Sequence, residues 1–478
     1  ASSLIPVKTV PDQAASLGKN PAMDSPMRDH RRDDLIERYA TPVPRYTSYP
    51  TAPHFHAGIT PQTYATWLGM VAAEATMSLY LHVPYCDRLC WFCGCNTKHT
   101  LRYEPIAHYL DALFAEVDWV ADKLAGRGVV SAIHLGGGSP TMLTAADMAR
   151  LKTHLASRFT IAADAEISIE IDPNDLGEDR FDAMAAFGLT RASVGVQDFD
   201  ETVQRAINRI QTFEQTKHVI DQVRARGVHS VNVDVLYGLP YQTLDSIEST
   251  IAQVLSLAPD RTALFGYAHV PWMKKHQQMI AEAALPDVKA RFAQSQLAAR
   301  LLNQGGLHPI GFDHFARDSD SLAIAARAGR LRRNFQGYTD DGADVLIGLG
   351  ASAIGQLPQG YVQNSTATGD YQKAIHAGNG ATARGFALSP DDRLHGHAIE
   401  ALLCQFALRR DALESFGPAG QSLFDAARAI AAADEDGIMT ADAECFVVTE
   451  RGKPFVRAIA ALFDAYLGGG TGRHSLAV

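Results

Sequence analysis

The chain has 478 residues, 46% of them apolar and 20% charged, with 38 Gly and 22 Pro, a globular composition that excludes collagen, coiled coil and wholesale disorder. Its 43 Lys and Arg against 53 Asp and Glu give a net charge of −10, so no global field draws nucleic acid or an anionic membrane surface. No apolar run approaches the ~20 residues that cross a bilayer, and ASSLIPVKTVPDQAASLG lacks a basic stretch followed by a long apolar one; a soluble, cytoplasmic chain of about three domains is expected.

Residues 1–40 mix Ser, Pro and Asp with the charged run MRDHRRDD and lack periodicity, which predicts a loosely ordered extension ending in a short helix. Residues 41–77 open with TPVPRYTSYPT, whose prolines suppress helix and predict an extended arm. Short β-branched runs then recur at SLYLHVP (78–84), VVSAIHLGGGS (129–139), EISIEIDP (166–173), RASVGVQ (191–197), HSVNVDVLYG (229–238) and ALFGYAH (263–269). Between them lie stretches such as EPIAHYLDALFAEVDWVADKLAG and TLDSIESTIAQVLSL, with apolar residues at i, i+3, i+4 spacing. Six strands alternating with helices predict an α/β fold, a partial parallel (β/α)6-type barrel over residues 78–375. The near-continuous apolar strands point to a sheet covered on both faces or closed on itself, and LHPIGFDHFA (307–316) is a candidate seventh strand. The alternation stops near residue 375. Residues 376–478 predict a mostly helical C-terminal domain with one hairpin, IMTADAECFVVTERG.

Four of the six cysteines crowd into YCDRLCWFCGC, while Cys404 and Cys445 lie far away; this pattern suits metal or redox chemistry rather than a disulfide framework. Cys86, Cys90 and Cys93, in C-x3-C-x2-C, can hold three corners of a 4Fe-4S cluster and leave one iron open to a small chelating molecule. A zinc knuckle and an electron-transfer cluster with four cysteine ligands are the alternatives. Cys95 fits the latter badly, since one residue separates it from Cys93. GGGSPT (136–141), Glu170, Gln197 and Asp234 each end a predicted strand, the face on which βα folds build their sites. Singly they read as a turn, a helix cap or a loop residue; together they converge.

C-x3-C-x2-C at the end of the first strand of a βα series resembles the radical S-adenosylmethionine superfamily. The blocks RYTSYPTA, YLHVPYCDRLCWFCGCN, EISIEIDP, GVQDFD, INR (207–209), DVLYGLP, YAH, HFAR and RNFQGYT further resemble the oxygen-independent coproporphyrinogen III oxidase family, from about residue 40 onward. The resemblance implies one 4Fe-4S cluster on Cys86, Cys90 and Cys93, and S-adenosylmethionine contacts from Tyr80, Gly137 and Glu170. It implies a second S-adenosylmethionine against Phe92, Gly138, Ser139, Gln197, Arg209, Asp234, Ala268 and Ile354. Cys95 matches a position needed for activity without ligating the cluster, and with Tyr80 it is the candidate catalytic residue.

The implied reaction is oxidative decarboxylation of two propionates of coproporphyrinogen III to vinyl groups by way of a 5′-deoxyadenosyl radical. A cytosolic electron donor, an unidentified electron acceptor and a monomer are expected, with neither nucleic acid nor membrane insertion. Four substrate carboxylates require arginines in the cavity, and Arg45, Arg317 and Arg333 are the candidates. Tyr46 and Tyr49 are placed in the pocket wall, with the arm folded over the barrel mouth. The rival within the superfamily is a haem chaperone; such proteins lack RYTSYPT and RNFQGYT and carry Phe where Cys95 stands. A winged-helix regulator, suggested by the C-terminal helices and hairpin, is disfavoured by 9 Lys and Arg against 13 Asp and Glu over residues 384–478.

Overall fold

The six expected strands form side by side and in parallel in the computed structural model, which describes residues 34–174 and 176–467. They are β1 (Thr76–Val83), β2 (Val129–Gly137), β3 (Ile161–Ile171), β4 (Arg191–Gln197), β5 (Ser230–Tyr237) and β6 (Arg261–Gly266). Helices α1 (Glu104–Leu124), α2 (Ala145–Arg158), α3 (Glu178–Phe187), α4 (Phe213–Ala225) and α5 (Leu244–Ser256) make the crossovers. Thr144, Thr212 and Thr243 set where three of these begin, each accepting from the backbone N–H three residues on. Of the expected N-terminal extension, only its closing helix at 34–39 falls among the described residues; the rest of that expectation lies outside them.

Two expectations about the sheet need correction. LHPIGFDHFA is not a seventh parallel strand: it folds as β7 (His308–Ile310) and β8 (His314–Ala316), an antiparallel pair of which β8 also pairs antiparallel with β6, because Gly311, at positive φ, turns the chain back. The seventh parallel strand is β9 (Val345–Leu349), on the other side of β1. It leads into an antiparallel meander of β10 (Ile354–Leu357), β11 (Gly360–Asn364) and β12 (Thr382–Ala387), so the large sheet runs on past residue 376. Antiparallel strands at both edges leave the barrel partial.

Nor are the parallel strands apolar on both faces. Met77, Leu79, Leu81 and Val83 of β1 are at most 1% exposed against the helices, while Ser78, Tyr80 and His82 face the concave side. The same period-two split places Ser168 and Glu170 of β3, Ser193 of β4, and Asn232 and Asp234 of β5 on that concave side. The inside of the partial barrel is therefore a polar surface. Among the described residues no helix is long and apolar enough to cross a membrane.

After β6, α6 (Val288–Gln304) returns along the sheet, and the C-terminal part follows as α7 (Pro390–Gln405), α8 (Gly417–Ala432), the short α9 (Val456–Ala461) and a three-stranded sheet. The expected hairpin supplies two of those strands, Met439–Ala441 and Cys445–Val448. Leu402, Phe424, Phe446 and Phe455 build an apolar core here, and Leu35, Ile36, Val43, Tyr46 and Tyr49 of the N-terminal segment complete it. Arg457 fastens the two ends of the chain by donating to the carbonyl of Val43 at 2.7 Å.

A buried carboxylate holds the turn between β9 and β10. Glu116, on α1, accepts from the Gly350 N–H at 2.6 Å, the Tyr371 hydroxyl at 2.7 Å and the Asn364 amide at 2.6 Å. Beside it the Tyr109 hydroxyl donates to the carbonyl of His82 and accepts from the Ala351 N–H. Burial pushes Glu116 up from its ordinary 4.5 to about 7 against the pull of these donors. The folded state thus binds a proton that the unfolded chain releases between those values, so this group's contribution to stability is full below pH 4.5 and declines as pH rises toward 7. Glu116→Ala strands three donors and is expected to lower the unfolding free energy by about 3 kcal/mol. Denaturant unfolding across pH checks both effects: the variant is expected to be weaker and to lack the wild-type decline over that interval.

Candidate active site

The cysteine loop leaves β1 and is anchored at both ends by the short parallel pairing of Tyr85–Cys86 with Lys98–His99. Its outward carbonyls are answered one by one. The Asn208 amide donates to Leu89 O at 2.9 Å, and Trp91 N donates to Ile207 O at 2.9 Å. From the other side Gln277 reaches Phe92 O, His276 reaches Cys93 O and Lys274 reaches Cys95 O, at 2.7–2.9 Å. So held, the loop turns Cys86, Cys90 and Cys93 into a cavity of about 210 Å³. Cys95 donates its backbone N–H to the Cys93 Sγ at 3.4 Å and lines this cavity together with an adjoining one of about 250 Å³.

Glycine at the end of β2 is a steric requirement. A Cβ on Gly138 would come within 2.5 Å of the Tyr85 backbone, and Gly137, at φ +111°, would meet the His82 ring at the same distance. That contact lets the N–H groups of Gly138 and Ser139 bind the carbonyls of Val83 and Tyr85, which locks β2 onto the cysteine loop. Glu170 accepts from the Gly137 N–H at 2.9 Å and faces His134 at 3.5 Å. Burial works against its charge, but His134 and that N–H hold the carboxyl below its usual range. Tyr80 stacks on His134 and hydrogen-bonds His82, whose own pKa is lowered by burial.

Arg209 closes the opposite wall. It donates to Asp172 at 3.0 Å, to the Gly195 carbonyl at 2.7 Å and to Gln211 at 3.0 Å, with Nη1 3.6 Å from the Cys90 sulfur. Burial opposes its charge, yet Asp172 and Cys90 keep it above the ordinary range. Asp234, hydrogen-bonded by Asn232 and Ser193, is pushed up to about 6 by burial. Gln197 at positive φ, Phe92 and Ser139 complete this wall, and Ile354 lines the adjoining cavity with Tyr80. Ala268 lines neither; its carbonyl accepts from Gln277, the residue that also holds Phe92.

The substrate-facing expectations fare unevenly. Arg45 lines a third cavity and donates to Gly266 O at 2.8 Å. Arg333 is sandwiched between Phe312 and Tyr338 and ion-paired with Asp313 at 3.5 Å, a packed position rather than an open one. Arg317 is corrected outright. Antiparallel β8 carries it to the opposite end of the barrel, where it donates to Pro259 O before β6 begins. Tyr46 and Tyr49 lie in the core with the C-terminal part, bonded to Asp464 and the Ala465 N–H, rather than in the wall of the three cavities above. Missed by the sequence reading were His82, His134, Asp172, Lys274, His276 and Gln277; only the alternation of AIHL and YLHV signalled the first two.

Burial raises the thiol of Cys86 to about 12 and also raises that of Cys90, against the pull of Arg209. Three soft donors spread around one cavity fit an iron–sulfur cluster. Among the described residues no three His, Cys, Asp or Glu side chains gather about a point as one zinc ion needs.

This fold and this site define a radical SAM protein, and the profile of the radical SAM superfamily matches residues 80–254. The oxygen-independent coproporphyrinogen III oxidase of Paracoccus denitrificans is 47% identical over 91% of this chain and 96% of its own length. That of Bradyrhizobium diazoefficiens is 46% identical over 94% and 100%. The solved coproporphyrinogen III oxidase of Escherichia coli, described as a radical SAM enzyme, superposes with a TM-score of 0.85 at 38% identity, covering 91% of this chain and 98% of that one. The chain belongs to the oxygen-independent coproporphyrinogen III oxidase family, and with it to a class of enzymes that use a 4Fe-4S cluster and S-adenosylmethionine.

Because Gly138 seats β2 on the cysteine loop, Gly138→Ala is expected to leave the barrel folded and cut bound iron and sulfide to about a tenth, on the reasoning that a misplaced ligand loop forfeits most of its binding energy. Iron and sulfide analysis of anaerobically reconstituted protein, with far-ultraviolet circular dichroism as the fold control, checks it.

Proposed function

We propose that the chain converts coproporphyrinogen III to protoporphyrinogen IX without oxygen, removing from each of two propionates one β-hydrogen, one electron and CO2 to leave a vinyl group. The observation that carries this reading is the cavity itself. Three cysteines on one clamped loop, a glycine-only strand end and the Glu170 carboxylate face one another there in a chain with full-length relatives of that activity.

When bound, the reduced cluster and S-adenosylmethionine supply a 5′-deoxyadenosyl radical. Cys86, Cys90 and Cys93 would ligate the cluster, and Arg209 beside Cys90 offsets part of its negative charge. Tyr80, Gly137 and Glu170 are assigned to the S-adenosylmethionine on the open iron; an ionised Glu170 suits a methionyl ammonium. Phe92, Gly138, Ser139, Gln197, Arg209, Asp234, Ala268 and Ile354 are assigned to a second molecule. Cys95 and Tyr80 face the adjoining cavity and are the side chains given to the reacting propionate. The arm and C-terminal part, sharing one core, act as the cover that keeps water from the radical. The same reading gives a cytoplasmic monomer, a cytosolic electron donor and a separate electron acceptor.

The test is anaerobic. Reconstituted protein with reductant, S-adenosylmethionine and coproporphyrinogen III is expected to release CO2 and 5′-deoxyadenosine and to form protoporphyrinogen IX. Retention of haem with none of these products would mark a haem carrier and end the proposal. Equilibrium dialysis is expected to count two S-adenosylmethionine per chain, falling to one in Asp234→Ala, while Glu170→Ala weakens the tighter site by about tenfold.

A further inference from the structure

Where the 207–211 segment touches the cysteine loop, three consecutive residues meet three consecutive residues. Ile207 O accepts from the Trp91 N–H and the Asn208 amide donates to Leu89 O, both at 2.9 Å, and between them Arg209 sets its Nη1 3.6 Å from the Cys90 sulfur. That Nη1 has a second partner, Asp172 Oδ2, at 3.0 Å. A guanidinium beside a carboxylate commonly closes on it with two parallel hydrogen bonds. Here a single oxygen is left for Arg209, because Asp172 Oδ1 accepts from the Asn174 amide at 2.8 Å and from the Asn174 N–H at 3.2 Å.

The other edge of the guanidinium is held by Gln211, which is 2% exposed. Its Oε1 accepts from Arg209 Nε at 3.0 Å, and its Nε2 donates to the carbonyls of Gly195 and Val196 at 3.2 and 3.1 Å. Only this orientation of the amide answers one N–H and two carbonyls at once. Gln204 fixes the backbone behind it: its Oε1 accepts from the Gln211 N–H at 3.2 Å, and its Nε2 donates to Gln211 O at 2.8 Å and Asp198 O at 2.9 Å. Gly195 O accepts from Arg209 Nη2 at 2.7 Å. The Nε–Nη2 edge is thus pinned to the end of β4, and Nη1 is left between a carboxylate and a sulfur.

We infer that Gln211 is a positioning residue: by holding that edge it keeps Arg209 from closing on Asp172, and the positive charge so kept at Cys90 makes the cluster easier to reduce. This rests on the ligation of the cluster by Cys90 proposed above. One electron from the donor makes the cluster one unit more negative, and a cation beside a ligand sulfur favours that state. A unit charge receding from about 4 to about 6 Å, at an effective permittivity of about 20, shifts such an equilibrium about tenfold.

The experiment is a redox titration of the full-length, anaerobically reconstituted enzyme without S-adenosylmethionine, with EPR following the reduced cluster and iron and sulfide analysis confirming equal loading. In Gln211→Met the ratio of reduced to oxidised cluster at a fixed potential is expected to fall about tenfold, a midpoint about 59 mV lower for one electron. Asp172→Asn takes away the carboxylate on which the guanidinium would close, so adding Gln211→Met to it is expected to change the ratio by less than about twofold. An unchanged midpoint in Gln211→Met overturns the inference, and so does an equal shift in both backgrounds, which is what general loosening of the loop would give. Where Gln211→Met binds too little iron to titrate, the same pair of measurements with Gln211→Asn decides. That variant keeps an amide near the two carbonyls but withdraws the acceptor from Nε, and a fall of about threefold confined to the Asp172 background is expected. Cys90→Ala separates the two readings: a cluster retained at full iron there removes the ligand assignment and this inference with it, whereas a cluster lost there and a midpoint unmoved by Gln211→Met overturn the inference alone.

Discussion

Arg209 sits out of water, so every N–H of its guanidinium must be answered from within the protein. The answers come from different parts of the chain: Asp172 just past β3, the Gly195 carbonyl of β4, Gln211, and the Cys90 sulfur of the loop that follows β1. A side chain on Gly195 would crowd the guanidinium, its Cβ falling 3.0 Å from Nη2. This one group therefore sets the distance between two strand ends and the cysteine loop, and it brings positive charge to the place where thiolates must form. Losing it leaves the partly buried Asp172 without its cation, the costly half of a broken pair.

The concave surface follows from the same demand. A barrel interior filled by branched apolar side chains is a packed core, whereas here alternate positions of β1, β3, β4 and β5 are Ser, Tyr, His, Glu, Asn and Asp. Parallel strands bring all their C-terminal ends to one rim. The site uses that rim from three directions: the cysteine loop over β1, the turn after β9 held by Glu116, and the 274–277 segment pressing on the loop from the far side.

Much of this was legible in the sequence, and the parts that were not share a physical reason. Short β-branched runs and period-3.6 patterns located all six βα units, and the ends of those strands marked Glu170, Gln197 and Asp234, because local pattern and strand polarity decide such positions. β9 escaped because no amphipathic helix follows it. Arg317 misled because the direction of an edge strand is settled by its partner, not by its own residues. Arg291 in VKARFAQSQLAARLLNQ reads as the solvated face of a helix, and only packing against β5 and β6 turns it inward. Lys274, His276 and Gln277 sit in an irregular stretch, where sequence carries no periodic signal.

The core joining the arm to the C-terminal part has a kinetic meaning. Val43 and Arg457 are 414 positions apart, and loop-closure entropy grows only logarithmically with such a span, so the contact is thermodynamically cheap. It is nevertheless late. During synthesis the barrel strands emerge and pair through short-range crossovers long before the partners of Leu35, Ile36 and Val43 leave the ribosome. That shared core therefore closes only after the segment carrying Phe455 and Arg457 has been made, well after the barrel strands have been able to pair.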